Sequence, residues 1–268
     1  MATRRALALA PWSASKIQTA LRCPKLFHYR YVEKLREPEI MPETRIGKAV
    51  HTSLEQVLKG MVVPRAVDLG ARSLANRDEE DRFRRISQNI PAFVQRIRRF
   101  RELHRVERDY VEYRLAMDVD GQSTAFNAAS AFYRGIIDLA YAYNEGSLAL
   151  VDHKSGLRQP NSRIGEQLDG YAVLATSGFR RRVRKVVLGV HWISSADVDW
   201  SPALTTAEID QRLRPALLAS IDAAALAVAD GPRPQESTWC LRCSYRSICP
   251  QAEAARFEPI EVPDPGLA

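Results

Sequence analysis

The sequence predicts an α/β fold built on a central mixed sheet. Three strand-like segments, 111–115, 133–142 and 148–153, follow one another with only turn-rich connections between them (121–123 and 144–146). An amphipathic helical pattern lies on either side of this trio. A strongly apolar strand, 186–193, then follows the second helix. The order helix, three strands, helix, strand, with a helical insertion after the first helix, is that of layered helices against a sheet.

The elements take their places in order. Ser13-Ala14-Ser15 starts a helix, with Ile17, Ala20 and Leu21 on one face. Cys23-Pro24 interrupts it, because proline disfavours helix in the residue before it and suits a first helical position. A second helical run carries Leu26, Phe27, Tyr29 and Tyr31, and the two-proline segment from Glu37 to Glu43 is a loop. Ile46, Val50, Leu54, Val57 and Leu58 make an amphipathic helix that contains His51. Residues 66–108 are charged and helical in pattern, with a break expected near Pro91. After the strand trio, Gln167, Leu168, Tyr171 and Leu174 mark a helix ended by Gly178. Residues 207–230 form a long helix, with Ile209, Leu213, Leu217 and Ile221 on one face, and Gly231-Pro232-Arg233-Pro234 is a linker. The expected organisation is an N-terminal helical segment (1–36), a core (44–230) with an insertion at about 62–108, a cysteine-bearing C-terminal segment (231–257) and a flexible tail (258–268).

Composition narrows the function classes. The chain is 46% hydrophobic and 26% charged, ordinary globular values. It contains no apolar run of about 18 residues, so no membrane span or membrane partner is expected. The apolar part of residues 1–11 is too brief for a secretory core, so a cytoplasmic location is expected. A formal net charge of +7 allows a polyanionic partner. Arg96, Arg98, Arg99, Arg101, Arg105 and Arg108 recur through one predicted helix, interleaved with Glu102, Glu107 and Asp109, and suit a solvated face as well as phosphate contacts. Arg180, Arg181, Arg182, Arg184 and Lys185 have no acidic neighbours and suit phosphate contacts better.

The chemistry centres on Asp152-His153-Lys154, at the end of the third strand. Period-two alternation puts Asp152 and Lys154 on one face and His153 on the other. The pair could be an ordinary ion pair. However, Asp138 ends Gly135-Ile136-Ile137-Asp138 on the preceding strand, and neighbouring strands lie about 4.8 Å apart. Two such carboxylates can share a hard divalent cation. Glu112 on the first strand is a further candidate acid, and His51 can approach from the helix. A lysine beside such a cation can orient a water or stabilise charge building on a scissile phosphate. Gln167 and Tyr171, four apart, share a helix face. Separately, Cys240, Cys243 and Cys249 are spaced Cys-x2-Cys-x5-Cys, with Cys23 far upstream. Four thiolates suit tetrahedral zinc or an iron–sulfur cluster. The uneven grouping, three local ligands and one distant, favours the cluster over paired zinc knuckles.

Together these motifs resemble the RecB-like exonucleases of the PD-(D/E)XK superfamily, in particular the iron–sulfur subset that includes the CRISPR-associated RecB-like exonucleases and the AddB nuclease domain. The N-terminal motif is similar to Ser13–Ile17 with Leu21–Phe27, and the histidine helix to Gly47-Lys48-Ala49-Val50-His51. The acidic motifs are similar to Gly135–Asp138 and Asp152-His153-Lys154, the Gln-x3-Tyr helix to Gln167–Tyr171, and the C-terminal motif to the last three cysteines. The resemblance implies a restriction-endonuclease-like core with a C-terminal iron–sulfur region. It implies Mg²⁺ or Mn²⁺ held by His51, Asp138 and Asp152 with the His153 carbonyl, and Lys154 positioning the water. Glu112 would assist, Gln167 and Tyr171 would steady the site or contact the strand, and Cys23, Cys240, Cys243 and Cys249 would hold a structural 4Fe–4S cluster. The chain has no Gly-x4-Gly-Lys-Ser/Thr phosphate loop, so an integrase, helicase or recombination partner would be a separate chain. The expected activity is metal-dependent hydrolysis of single-stranded DNA or DNA ends, in CRISPR adaptation, recombination or repair. The rivals are a non-catalytic iron–sulfur DNA-binding subunit and a zinc-stabilised interaction module.

Overall fold

The computed structural model describes residues 3–38, 40–156, 158, 164–179, 182–235 and 237–254. The chain enters through α1 (Arg4–Ala8) and α2 (Ala14–Arg22). Ser13 caps α2 by accepting from the Lys16 N–H, satisfying one of the helix's orphan donors. Pro24 opens α3 (Pro24–Phe27), where its missing N–H costs nothing, and the coil continues through a π turn, His28–Val32. The long α4 (Pro42–Leu58) buries Ile46, Ala49, Val50, Ser53, Leu54 and Val57 along one face.

The insertion is three helices, α5 (Val63–Ala71), α6 (Arg77–Ser87) and α7 (Ile90–Leu103). The break expected near Pro91 falls earlier, at Gln88 and Asn89. Pro91 sits in the first turn of α7, where its fixed φ suits the helix. The six arginines expected on one helix are divided, because α7 stops at Leu103. Arg105 adopts a left-handed φ of 50° and Arg108 already begins β1. α5 lies close on α4 at Gly70, where an added Cβ would meet the Ser53 hydroxyl at 2.3 Å and the Ala49 carbonyl at 2.5 Å.

The strands are β1 (Arg108–Met117), β2 (Ser123–Thr124), β3 (Tyr133–Ala142) and β4 (Ser147–Lys154). After α8 (Ile164–Gly178) come β5 (Lys185–Trp192), β6 (Asp197–Trp200) and β7 (Leu204–Thr205). The expected mixed sheet is present, ordered β2-β1-β3-β4-β5-β6, with β7 also pairing β5. Among the described strands only β4 and β5 pair in parallel, joined by the α8 crossover. Three strands beyond the four expected, β2, β6 and β7, are short edge additions of two to four residues. The expected long helix runs without a break through α9 (Thr206–Glu208), a π turn (Ile209–Leu213) and α10 (Arg214–Ala227). A 3-10 turn (Thr238–Arg242) and α11 (Pro250–Ala254) complete the described chain. The tail expected to be flexible, 258–268, and Arg180 and Arg181 of the basic block lie outside the described residues.

Helices cover both faces of the sheet. One core joins α1, α2, α8 and α10 to the sheet through Trp12, Phe27, Tyr171 and Ile221. The other joins α4, α6 and α7 through Leu54, Phe83, Phe93 and Tyr141. The N-terminal helices thus share a core with α8 and α10. Among the described residues no helix is long and apolar enough to cross a membrane.

Candidate active site

The site forms where β3 and β4 stop pairing. Their backbone ladder ends at Leu139 opposite Val151. One step further, Asp138 faces Asp152, and Asp138 Oδ2 takes the His153 N–H at 2.7 Å in place of a ladder bond. On the other side of β3, the β1 register puts Glu112 opposite Asp138. One row across three strands therefore carries three carboxylates.

Glu112 reaches this position through a strained backbone, with φ at 52° in the middle of a strand. The alternation of both strands slips at this pair. Ile137 faces the α8 side and Leu139 the α7 side, although two residues apart should share a face; on β1, Tyr113 and Val111 divide in the same way. The slip turns Glu112 and Asp138 toward α4. There His51 Nδ1 lies 3.7 Å from Asp138 Oδ2. His51, Glu112 and Asp138 each offer a ligand atom, and these atoms lie within 4.8 Å of one another.

The electrostatics fit a cation site. Burial, reinforced by the Asp152 charge, raises Asp138 to about 7. Burial also raises Glu112 to about 7, helped by Asp138 and Glu55. His51 is lowered from its ordinary value, chiefly by burial. Carboxylates crowded this way repel until a cation or protons neutralise them.

Asp152 is held differently. Its Oδ1 accepts from Gln167 Nε2 at 2.8 Å, and its Oδ2 lies 2.7 Å from Lys154 Nζ without hydrogen-bond geometry. Lys154 Nζ also donates to Gln167 Oε1 at 3.3 Å, and Gln167 Nε2 donates to Tyr171 Oη at 2.7 Å. Gln167 and Tyr171, expected on one helix face, thus meet the strand end together. Gly135 makes room for them: an added Cβ would stand 2.9 Å from the Tyr171 ring. The expected face of His153 is also found. Its ring stacks on His191, 5.2 Å between centroids, and meets Phe93 edge-on at 5.4 Å. Burial lowers the pKa of both rings, His153 well below its usual range and His191 to about 3. The His153 carbonyl meanwhile interacts with the His51 ring.

The structure thus gathers His51, Glu112 and Asp138 as one ligand group, with Asp152, Lys154, Gln167 and Tyr171 as an adjoining network. Two neighbours escaped the sequence reading. Glu55 acts on Glu112 from α4, and its only signal was its position four residues after His51 on one helix face. His191 lies against His153, and nothing in the pattern of β5 marked it.

The cysteines lie at the junction of the two chain ends. Cys23 stands between α2 and α3, Cys240 and Cys243 flank the end of the 3-10 turn, and Cys249 precedes α11. Burial raises the Cys243 thiol, and Cys23, Cys249 and Cys240 each act on it. Contacts independent of sulfur hold the same ends together. The Lys25 N–H donates to the Arg233 carbonyl at 3.1 Å, and Tyr245 Oη donates to the Leu35 carbonyl at 2.9 Å.

Comparison with known proteins matches residues 11–250 to the PD-(D/E)XK nuclease superfamily. A solved structure from Eubacterium rectale, named as a candidate exonuclease, is similar at TM-score 0.52 and 10% identity, covering 97% of this chain and 94% of that one. At that identity the likeness speaks for the fold. A second solved structure, SSO0001, aligns at TM-score 0.37 and 13% identity over 89% of this chain and 95% of that one. No curated protein matches.

Proposed function

The chain belongs to the PD-(D/E)XK nuclease superfamily, and from that premise we propose a Mg²⁺- or Mn²⁺-dependent deoxyribonuclease of the RecB-like exonuclease type. It would cut single-stranded DNA or DNA ends in CRISPR adaptation, recombination or repair, in the cytoplasm, alongside a separate integrase, helicase or recombination partner. The observation that carries the reading is the convergence of His51, Glu112 and Asp138 within 4.8 Å, beside Lys154.

The two carboxylates suit a hard divalent cation, which takes oxygen ligands, and the His51 imidazole is the softer ligand of the three. His51, Glu112 and Asp138 would hold it, with Asp152 Oδ2 and the His153 carbonyl next in line. When bound, a divalent cation supplies Lewis acidity toward a phosphate oxygen. The protein does the rest. Lys154 places an ammonium where it can orient the attacking water and offset charge growing on the phosphate. Gln167 fixes Asp152 and Lys154 by hydrogen bonds to both, and Tyr171 fixes Gln167.

The four cysteines would hold a 4Fe–4S cluster. Support comes from the Cys-x2-Cys-x5-Cys grouping with Cys23 far upstream and from the effect of Cys23, Cys249 and Cys240 on the Cys243 thiol. In this reading the proposed segments 1–36 and 231–257 close around the 44–230 core.

The test is cleavage of end-labelled single- and double-stranded DNA with Mg²⁺ or Mn²⁺, against an EDTA control. Metal-dependent shortening of the labelled strand is expected. One observation favours the rival, a non-catalytic iron–sulfur DNA-binding subunit: Asp152 already has Lys154 and Gln167 as structural partners. A protein that binds DNA and never cuts it with either metal would decide for that rival.

A further inference from the structure

We propose that a groove between the cysteine segment and α4 is a single-strand track, in which Trp239 serves as the platform for one unstacked base. The proposal rests on the nuclease reading and adds where, and by which residues, the strand is gripped.

The groove encloses about 560 Å³ and is walled by α2, α3, the start of α4 and the 3-10 turn; Cys23, Cys240 and Cys243 also line it, so the cysteine site takes part of this volume and the strand the remainder. Its charge is unbalanced. Of the two acids that line it among the described residues, Glu37 is engaged by Arg30 at 2.6 Å and Glu43 by Arg82 at 3.1 Å. Arg22, Lys48 and Arg242 line it with no ion-pair partner within 4.0 Å among the described residues. Three cations along one cleft without an ion-pair partner among the described residues suit a run of phosphates.

Trp239 supplies what charge alone does not. It is 51% exposed, large for an indole. The Arg22 guanidinium lies over its ring, 4.3 Å from the centroid. That contact orients the indole and brings a phosphate-binding cation to a base-stacking surface. A base in a duplex is already stacked on both sides, so such a platform selects a single strand.

The groove also leads to the site. Lys48 lies three residues before His51 on α4, close to one turn away. Its neighbour Gly47 faces Ser155, next to Lys154, with an added Cβ 3.5 Å from the Ser155 hydroxyl. A strand on Trp239 and Lys48 would therefore approach the carboxylates from the cysteine side.

The experiment measures binding of fluorescein-labelled oligothymidylate and of a labelled hairpin duplex in EDTA, where no cleavage interferes. Trp239→Ala should weaken single-strand binding roughly 5- to 100-fold and leave the duplex little changed, while Trp239→Phe should keep most of the affinity. Arg242→Ala should lower the slope of log K against log salt by about 0.7, one phosphate contact. Iron and zinc content per chain checks that the neighbouring cysteine site is unaltered. Unchanged single-strand binding in Trp239→Ala would overturn the proposal. So would equal losses for strand and duplex, or loss in the Phe variant together with altered metal content. Because cleavage is not read, failure of the nuclease assay would leave this result standing on its own.

Discussion

Glu112 lies opposite Asp138 across the β1–β3 pair, and both strands change the face they present at that pair. The left-handed φ of Glu112 is the local cause, since a residue at 52° cannot keep the pleat. Such strain commonly marks a functional position. It separates two contributions of Glu112, its carboxylate and its backbone. Glu112→Gly relieves the strain and Glu112→Ala does not, so the Gly variant should be more stable by about 1 kcal/mol. Both should bind Mn²⁺ at least ten-fold more weakly. Urea unfolding and calorimetric titration measure the two effects; equal stability of the variants would refute the strain argument.

Lys154 is a surface-reaching ammonium on a buried strand end, with its side chain 31% exposed. Lys154→Ala should therefore fold normally and lose metal-dependent cleavage by about 100-fold or more. Full cleavage by this variant would remove Lys154 from the chemistry.

The raised carboxylates give a pH signature. Asp138 and Glu112 hold protons up to about 7 in the folded chain, and the unfolded chain releases them near the ordinary carboxylate range. Between these limits the native state binds more protons than the unfolded one, so without metal, stability falls as pH rises from about 4.5 through 7. Asp138→Asn removes the largest part and should stabilise the metal-free protein at pH 8 by on the order of 2 kcal/mol. With saturating Mg²⁺ the order should reverse, because only the wild type gains from the cation. Thermal melts at pH 5 and 8, with and without Mg²⁺, decide it.

The insertion is tied to the site helix by a close approach at Gly70. Gly70→Ala would drive a methyl group into the Ala49 carbonyl and the Ser53 hydroxyl. A loss of roughly 1–3 kcal/mol is expected, from overpacking alone. Since Ala49 lies on α4 two residues before His51, the same change should weaken Mn²⁺ binding; a normal melt would show that α5 yields at little cost.

Much of this was legible in the chain. Ser13 as a cap, Pro24 at a helix start, the apolar face of α4 and the runs of β3, β4 and β5 are local signals, set by capping chemistry and side-chain period. Period two correctly placed Asp152 with Lys154 and turned His153 away. The short strands β2, β6 and β7 were not legible, because two to four residues carry too little pattern. They exist by pairing with strands that the core already holds.

The sequence by itself determined the α/β class, the order of the main elements and the residue types able to bind a cation. These depend on neighbours a few positions apart. The tertiary structure alone decided the grouping of those residues. It put Glu112 with His51 and Asp138, and it gave Asp152 to Lys154 and Gln167. The reason is the slip of β1 and β3 at Glu112 and Asp138: once alternation breaks, sequence parity no longer tells which face a side chain takes, and only the packed helices on either side settle it.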